Sequence, residues 1–229
     1  CTLRAAVMEA NALPGSDSIT LPAGIFTLTI PGNDIESEVG DINITEGLTL
    51  TGATTSSTIV DGGAIDRVID VRTVAGQEVS ISNVTIQNGT SGSIGAGICN
   101  CSQGNSLILN NVVVKDNMNF TSGGGIWNGG QITITDSFVY NNITANAGGG
   151  ILNSANGTMV IEGSRIFSNT ANFEGLGGGI YNTGQLTVST SSVYENSVIP
   201  DGFIGGVGGG IVNYEEFPSE PGTVFIFNS

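Results

Sequence analysis

Gly123-Gly124-Gly125-Ile126-Trp127-Asn128 decides the fold, because the chain repeats it. Its copies are Gly95-Ala96-Gly97-Ile98-Cys99-Asn100, Gly148-Gly149-Gly150-Ile151-Leu152-Asn153, Gly177-Gly178-Gly179-Ile180-Tyr181-Asn182 and Gly208-Gly209-Gly210-Ile211-Val212-Asn213. Their first residues lie 28, 25, 29 and 31 positions apart. A unit recurring at such a period marks a solenoid, a propeller or an array.

Two further series keep the same beat. One consists of apolar–x–apolar triplets: Phe26-Thr27-Leu28, Leu48-Thr49-Leu50, Val79-Ser80-Ile81, Leu107-Ile108-Leu109, Ile132-Thr133-Ile134, Met159-Val160-Ile161, Leu186-Thr187-Val188 and Val224-Phe225-Ile226. The other runs Val114-Lys115-Asp116-Asn117, Val139-Tyr140-Asn141-Asn142, Ile166-Phe167-Ser168-Asn169 and Val193-Tyr194-Glu195-Asn196, with Ser137, Ser164 and Ser191 two places before its apolar member. Period-2 alternation turns the outer residues of each triplet to one side. Asn88-Gly89, Asn128-Gly129 and Asn156-Gly157 are hairpin signals that taken alone favour an antiparallel meander or propeller. A four-stranded blade needs a period nearer about 40 residues, however. Three short strands in each turn, every motif in register, predict an all-β single parallel β-helix of about 25–30 residues per coil.

Composition narrows the function. The chain has 229 residues, 39% hydrophobic and 11% charged, with 36 glycines. That is ample for a core and too little charge for disorder. The net charge of −15, with Lys115 as sole lysine beside four arginines, cannot neutralise a row of phosphates, so neither nucleic acid nor an anionic membrane surface is an expected partner. No apolar run is long enough for a membrane-spanning helix, so direct membrane insertion is not expected. Cys1, Cys99 and Cys101 are too few for a disulfide scaffold. A bridge from Cys1 to the Cys99/Cys101 pair and unpaired thiols both remain open.

Residues 1–14 hold the expected capping helix and 15–229 the β-helix. Thr2 is placed to N-cap, Leu3, Ala6, Val7 and Ala10 share a face, and Pro14-Gly15 stops the helix. A solenoid needs such a lid over its terminal strands. Residues 30–43 fit the period poorly and read as an acidic loop, in which Asp34, Glu36, Glu38 and Asp41 are the carboxylates a structural calcium would use. Their spacing follows no known calcium loop, so no cofactor is expected.

The opening Cys1-Thr2-Leu3-Arg4-Ala5-Ala6-Val7, with Glu9-Ala10-Asn11 and residues 17–24 (Asp-Ser-Ile-Thr-Leu-Pro-Ala-Gly), resembles the CSLREA motif, with Ala5 where the motif has Glu. That resemblance implies a right-handed parallel β-helix of a large prokaryotic surface protein, and residues upstream of Cys1. The chain also lacks an initiator Met, as a processed or partial product would. The strand from Val224 carries no visible cap, so either the chain continues or its edge stacks on another copy.

In a stacked coil, identical residues form ladders about 4.8 Å apart. Ile98, Ile126, Ile151, Ile180 and Ile211 are the expected inner column. Asn100, Asn128, Asn153, Asn182 and Asn213 are the expected amide ladder, with αL backbone tolerated at Asn, and Asn117, Asn142, Asn169 and Asn196 form a second one. The glycines mark a corner needing positive φ or close backbone approach. Outward lie Cys99, Trp127, Leu152, Tyr181 and Val212 in one column and Lys115, Tyr140, Phe167 and Tyr194 in another. Trp127, Leu152, Tyr181, Tyr140, Phe167 and Tyr194 are the candidate partner-contact stripe; the competing reading is that they stack on one another or are covered by loops. The turn before each glycine triplet varies in length and carries Phe120, Phe173, Phe203 and Ile204, the usual sign of a binding edge.

Gly-Gly-Gly-Ile alternating with [Val/Ile]-x-x-Asn over residues 80–213 resembles the repeats of polymorphic outer-membrane adhesins. That likeness implies surface exposure and carries no active site. There is no histidine, and the basic residues Arg4, Arg67, Arg72, Arg165 and Lys115 are scattered over separate coils. Asp61, Asp66, Arg67 and Asp70 form the densest mixed cluster, which reads as a turn with ion pairs. No catalytic residue is therefore assigned. The expected function is a non-catalytic extracellular or cell-surface module (adhesin, stalk or matrix component) meeting protein, glycan or copies of itself. The alternatives are an end-to-end filament subunit and a polysaccharide lyase or hydrolase of the pectin-lyase-like fold.

Overall fold

A computed structural model describes residues 2–32, 36–73, 76–173, 175–200, 208–214 and 223–227. Cys1, Asp34, Phe203, Ile204, Asn228 and Ser229 lie outside the described residues.

Every strand pairing in the described chain is parallel and joins one coil to the next in register. Within one coil the chain passes through Ile126–Asn128, Gln131–Thr135, Phe138–Tyr140 and Ile143–Thr144 before returning at Ile151–Asn153. We call the sheets they belong to the first to fourth. They contain seven, eight, seven and five strands. The fourth sheet is an addition to the expected three. Its strands include Thr90–Ser91, Met118–Asn119, Ile143–Thr144 and Thr170–Phe173, and their buried members are Ser91, Asn119, Thr144 and Ala171. Small and mostly polar inward residues leave no hydrophobic alternation to read.

Ile98, Ile126, Ile151 and Ile180 are fully buried and stack in the first sheet, with Ile211 half-buried at the end of the column. Leu107 and Leu109, Ile132 and Ile134, Met159 and Ile161, and Leu186 and Val188 fill the second sheet's inner face. Each such side chain contributes about 1.5–3 kcal/mol of burial.

Two expectations of register change. Residues Phe26 and Thr27 belong to the third-sheet strand Gly24–Thr27, and the counterpart of Leu48-Thr49-Leu50 is Asp17-Ser18-Ile19. The first coil carries a carboxylate where later coils carry an aliphatic side chain, so its pattern misleads. The acidic loop also ends sooner than expected: Ile42–Ile44 is a first-sheet strand paired with Ile69–Val71.

The corners use the repeated glycines and asparagines differently. The first glycine of each triplet has positive φ, as at Gly123 (72°) and Gly148 (68°). The third presses against the second amide ladder: a methyl on Gly125 would lie 2.9 Å from Asn142 Nδ2. The two motifs thus lock together across the coil. The left-handed backbone expected at the Asn100–Asn213 column is absent from it. It falls instead on Asp116, Asn141, Ser168 and Glu195, each one residue before the second amide ladder. The ladder asparagines serve by hydrogen bonding. Asn100, Asn128, Asn153 and Asn182 each donate Nδ2–H to Oδ1 of the next, all at 2.7 Å. A serine ladder does the same at another corner, Ser137 N donating to Ser164 Oγ and Ser164 N to Ser191 Oγ.

Gly149 has no room for a side chain: a methyl would lie 2.6 and 2.7 Å from the carbonyl carbon and oxygen of Thr170. Gly149→Ala is therefore expected to cost about 3 kcal/mol. At Gly92 nothing lies within 4 Å, and Gly92→Ala should instead gain about 0.4–1 kcal/mol by restricting the unfolded chain. Urea midpoints check both; equal midpoints for the two variants would refute the packing argument.

The helix spans Leu3–Ala12, with Thr2 accepting at its N-cap from Ala5 N (3.2 Å) and Leu3, Val7 and Ala10 buried. Arg4 anchors it. Its guanidinium donates to the carbonyls of Ser37 (2.8 Å), Val39 (3.3 Å), Asp41 (3.0 Å) and Gly40. Asn11 donates to Asn43 O and accepts from Thr45 N. The acidic loop therefore turns its carbonyls to an arginine. Glu36 and Glu38 are exposed while Asp41 is buried, and among the described residues these carboxylates do not gather around a common point.

Candidate functional site

The sequence-derived stripes lie on two separate sheets. On the third, Tyr140, Phe167 and Tyr194 pair in register and stack ring on ring, with centroids 4.8 and 5.2 Å apart and planes within 13° and 6°. Phe167 is stacked on both faces, whereas Tyr194 at the end of the row is 40% exposed. On the first sheet, Trp127, Leu152 and Tyr181 are ladder neighbours. Leu152 is 8% exposed, Trp127 and Tyr181 are half-buried, and Tyr181 stacks on Tyr214. The Trp127 ring covers the backbone of Gly129, where a methyl would meet it at 2.6 Å. Exposed large apolar side chains also lie elsewhere, among them Ile25 (66%) on the third sheet and, on and beside the fourth sheet, Met118 (42%), Phe120 (58%), Phe173 (58%) and Ile199 (55%). Phe120 and Phe173 were legible as members of the variable turn.

The charged cluster carries ion pairs, as expected, but they lie under the surface. Arg67 is 5% exposed. Its guanidinium pairs with Asp70 and, at 3.3 Å, with Asp41, and its Nε donates to the carbonyls of Ile94 and Gly95. Arg72 pairs with Asp70 at 2.8 Å. Asp61 stands apart, accepting from Gln87 and Asn88. What the sequence left unseen is the arrival of Asp41 and the cysteines. Asn43, Asp70 and Cys99 are successive members of the column that continues to Trp127. Extending that column by two coils would have found them. Cys99 and Cys101 are disulfide-bonded to each other, with Cα atoms 5.1 Å apart, so the bridge from either of them to Cys1 does not form.

Asp41 is the perturbed acid of this cluster. Burial pushes its pKa up from 3.8 to about 7; Arg67 and Arg72 oppose the rise, and Asp70 and Asp66 add to it. The folded protein thus holds a proton at Asp41 between about pH 4 and 7 where the unfolded chain has released it. This contribution to stability is complete below pH 4 and is lost as pH rises towards 7, by on the order of 4 kcal/mol. Unfolding of wild type and Asp41→Asn across that range checks it. The wild-type minus variant difference is expected to fall with pH, and a flat difference would refute the assignment.

The fold defines the class: a right-handed parallel β-helix whose repeated isoleucines and asparagines stack in register from coil to coil. No protein-family model matches the chain, and no curated protein matches it in sequence. Among solved structures it is similar to the pectin methylesterase of Aspergillus niger, with a TM-score of 0.55 over 99% of this chain and 80% of that one, at 10% identity. Likeness at that identity is likeness of fold. Among the described residues no helix is long and apolar enough to cross a membrane.

Proposed function

We propose that the chain is a non-catalytic β-helix module of an extracellular or cell-surface protein, contacting a protein or glycan partner through its outer faces. One observation carries this reading. The densest constellation of acids and bases, Asp41, Arg67 and Asp70, is closed under the surface and internally paired, while large apolar side chains stand exposed along the variable edge. Exposed apolar rows on a soluble scaffold mark contact surfaces. One cavity, between the helix start and strand Gly24–Thr27, lined by Thr2, Leu3, Arg4 and residues 25–30, holds no carboxylate; another, along the helix, has Glu9 and Asp17 in its lining but no basic residue beside them. The likeness of the opening residues to CSLREA proteins and of the repeats to outer-membrane adhesins supports a surface location.

The fold's occurrence in a pectin methylesterase makes polysaccharide chemistry the reading to exclude. The chain is incubated with a polysaccharide panel, methylated pectin included, and assayed for reducing ends, unsaturated uronate and methanol. We expect none; release of any product overturns the non-catalytic reading. A glycan array with wild type, Trp127→Ala/Tyr181→Ala and Phe120→Ser/Phe173→Ser then locates the contact. Signal lost in only one pair assigns that surface, and no signal in wild type removes glycan as the partner.

A further inference from the structure

The outer column of the first sheet opens on chemistry that a contact surface does not use. Asp70 and Cys99 are ladder partners on adjacent coils, and Cys101 follows two residues on, its sulfur bonded to that of Cys99. The carboxylate of Asp70 is fully buried and its two oxygens differ. Oδ2 accepts from both Arg67 and Arg72, whereas Oδ1 is buried with no hydrogen-bond partner. A carboxylate oxygen of Asp70 and the sulfurs of Cys99 and Cys101 all lie within 4.8 Å of one another.

We propose that reduction of the disulfide converts Asp70, Cys99 and Cys101 into a site for a thiophilic divalent cation of the zinc and cadmium class. Two equivalents of a thiol reductant transfer two electrons to the sulfur–sulfur bond, leaving two cysteine thiols and the reductant's own disulfide. The cation then displaces both thiol protons to solvent and forms two metal–sulfur bonds. Asp70 Oδ1 supplies the third ligand and water the fourth, the set of an open zinc-type site. Two sulfurs on a tetrahedral cation stand about 3.8 Å apart, given metal–sulfur bonds of about 2.3 Å. Opening the disulfide by a side-chain rotation reaches that separation. Hard cations such as calcium demand six or more oxygens and are excluded by this donor set. Arg67 and Arg72 remain on Oδ2, orienting the carboxylate and offsetting part of the thiolate charge. Disulfide and metal are thus alternative occupants of one place, and the redox state selects between them.

The test titrates the full chain with cadmium ion, following the ultraviolet thiolate-to-cadmium charge-transfer band, before and after anaerobic reduction and removal of the thiol. The reduced wild type is expected to give a saturating band at one ion per chain, and the oxidised protein none. Cys101→Ser, at a half-buried position, should lose the two-sulfur band, and Asp70→Asn should bind at least about tenfold more weakly. Circular dichroism reports folding of each. If Asp70→Asn does not fold, Asp70→Glu replaces it, keeping a charge for both arginines while displacing the third ligand. A reduced, folded wild type without the band overturns the proposal, as does equal affinity in wild type and the folded Asp70 variant.

Discussion

Asn142→Ala is expected to destabilise the protein by about 3–5 kcal/mol, far more than a surface asparagine would. The side chain is fully buried in the middle of the second amide ladder. Its Oδ1 accepts from the backbone N (3.1 Å) and Nδ2 (2.9 Å) of Asn117. Its Nδ2 donates to the carbonyls of Val114 and Tyr140 and to Asn169 Oδ1, each at 3.0 Å. Truncation strands these groups where water cannot replace the lost partner, at about 1–3 kcal/mol for each group left unsatisfied. Neighbouring rungs share the loss, because each amide polarises the next. Asn110 is the control. It is exposed, and its Nδ2 donates to Thr135 Oγ1, so Asn110→Ala should stay within about 0.5 kcal/mol of wild type. Chemical denaturation measures both, and an Asn142 variant as stable as the Asn110 variant would show that the ladder adds nothing.

Arg67→Met carries the second large effect. The substitution keeps much of the stem's volume and removes the charge that the Asp70 carboxylate faces, together with the contact to Asp41. It also frees the carbonyls of Ile94 and Gly95. Breaking a buried pair from one side costs about 3–5 kcal/mol, because the remaining charge keeps its desolvation penalty. Arg72 remains on Asp70 but is exposed, so it compensates only in part. Adding Asp70→Asn removes the stranded carboxylate, and the double variant should recover about 1–3 kcal/mol relative to the sum of the singles. A loss below about 1 kcal/mol for Arg67→Met would mean that water reaches the cluster. The two residues differ in kind: Asn142 belongs to a ladder, and Arg67 to a place where the ladder pattern is interrupted.

That difference separates what was legible in the sequence from what was not. In a parallel solenoid the tertiary neighbour of a residue is its counterpart one coil later, so a contact between Ile126 and Ile151, or Asn128 and Asn153, is written as a repeat. Coil length, parallel pairing, the isoleucine column and both amide ladders follow from the sequence alone, because hydrogen bonding along a ladder needs like residues in register. Tertiary structure decided the rest. The fourth sheet has small polar inward residues and so no hydrophobic signal. Whether an outward ring is free depends on its neighbours: Phe167 is covered on both faces by Tyr140 and Tyr194, while Phe120 and Phe173 stand clear. The meeting of Asp41, Arg67, Asp70, Cys99 and Cys101 takes place in coils where no motif repeats. With no counterpart to mark the register, stacking alone brings those charges and sulfurs together.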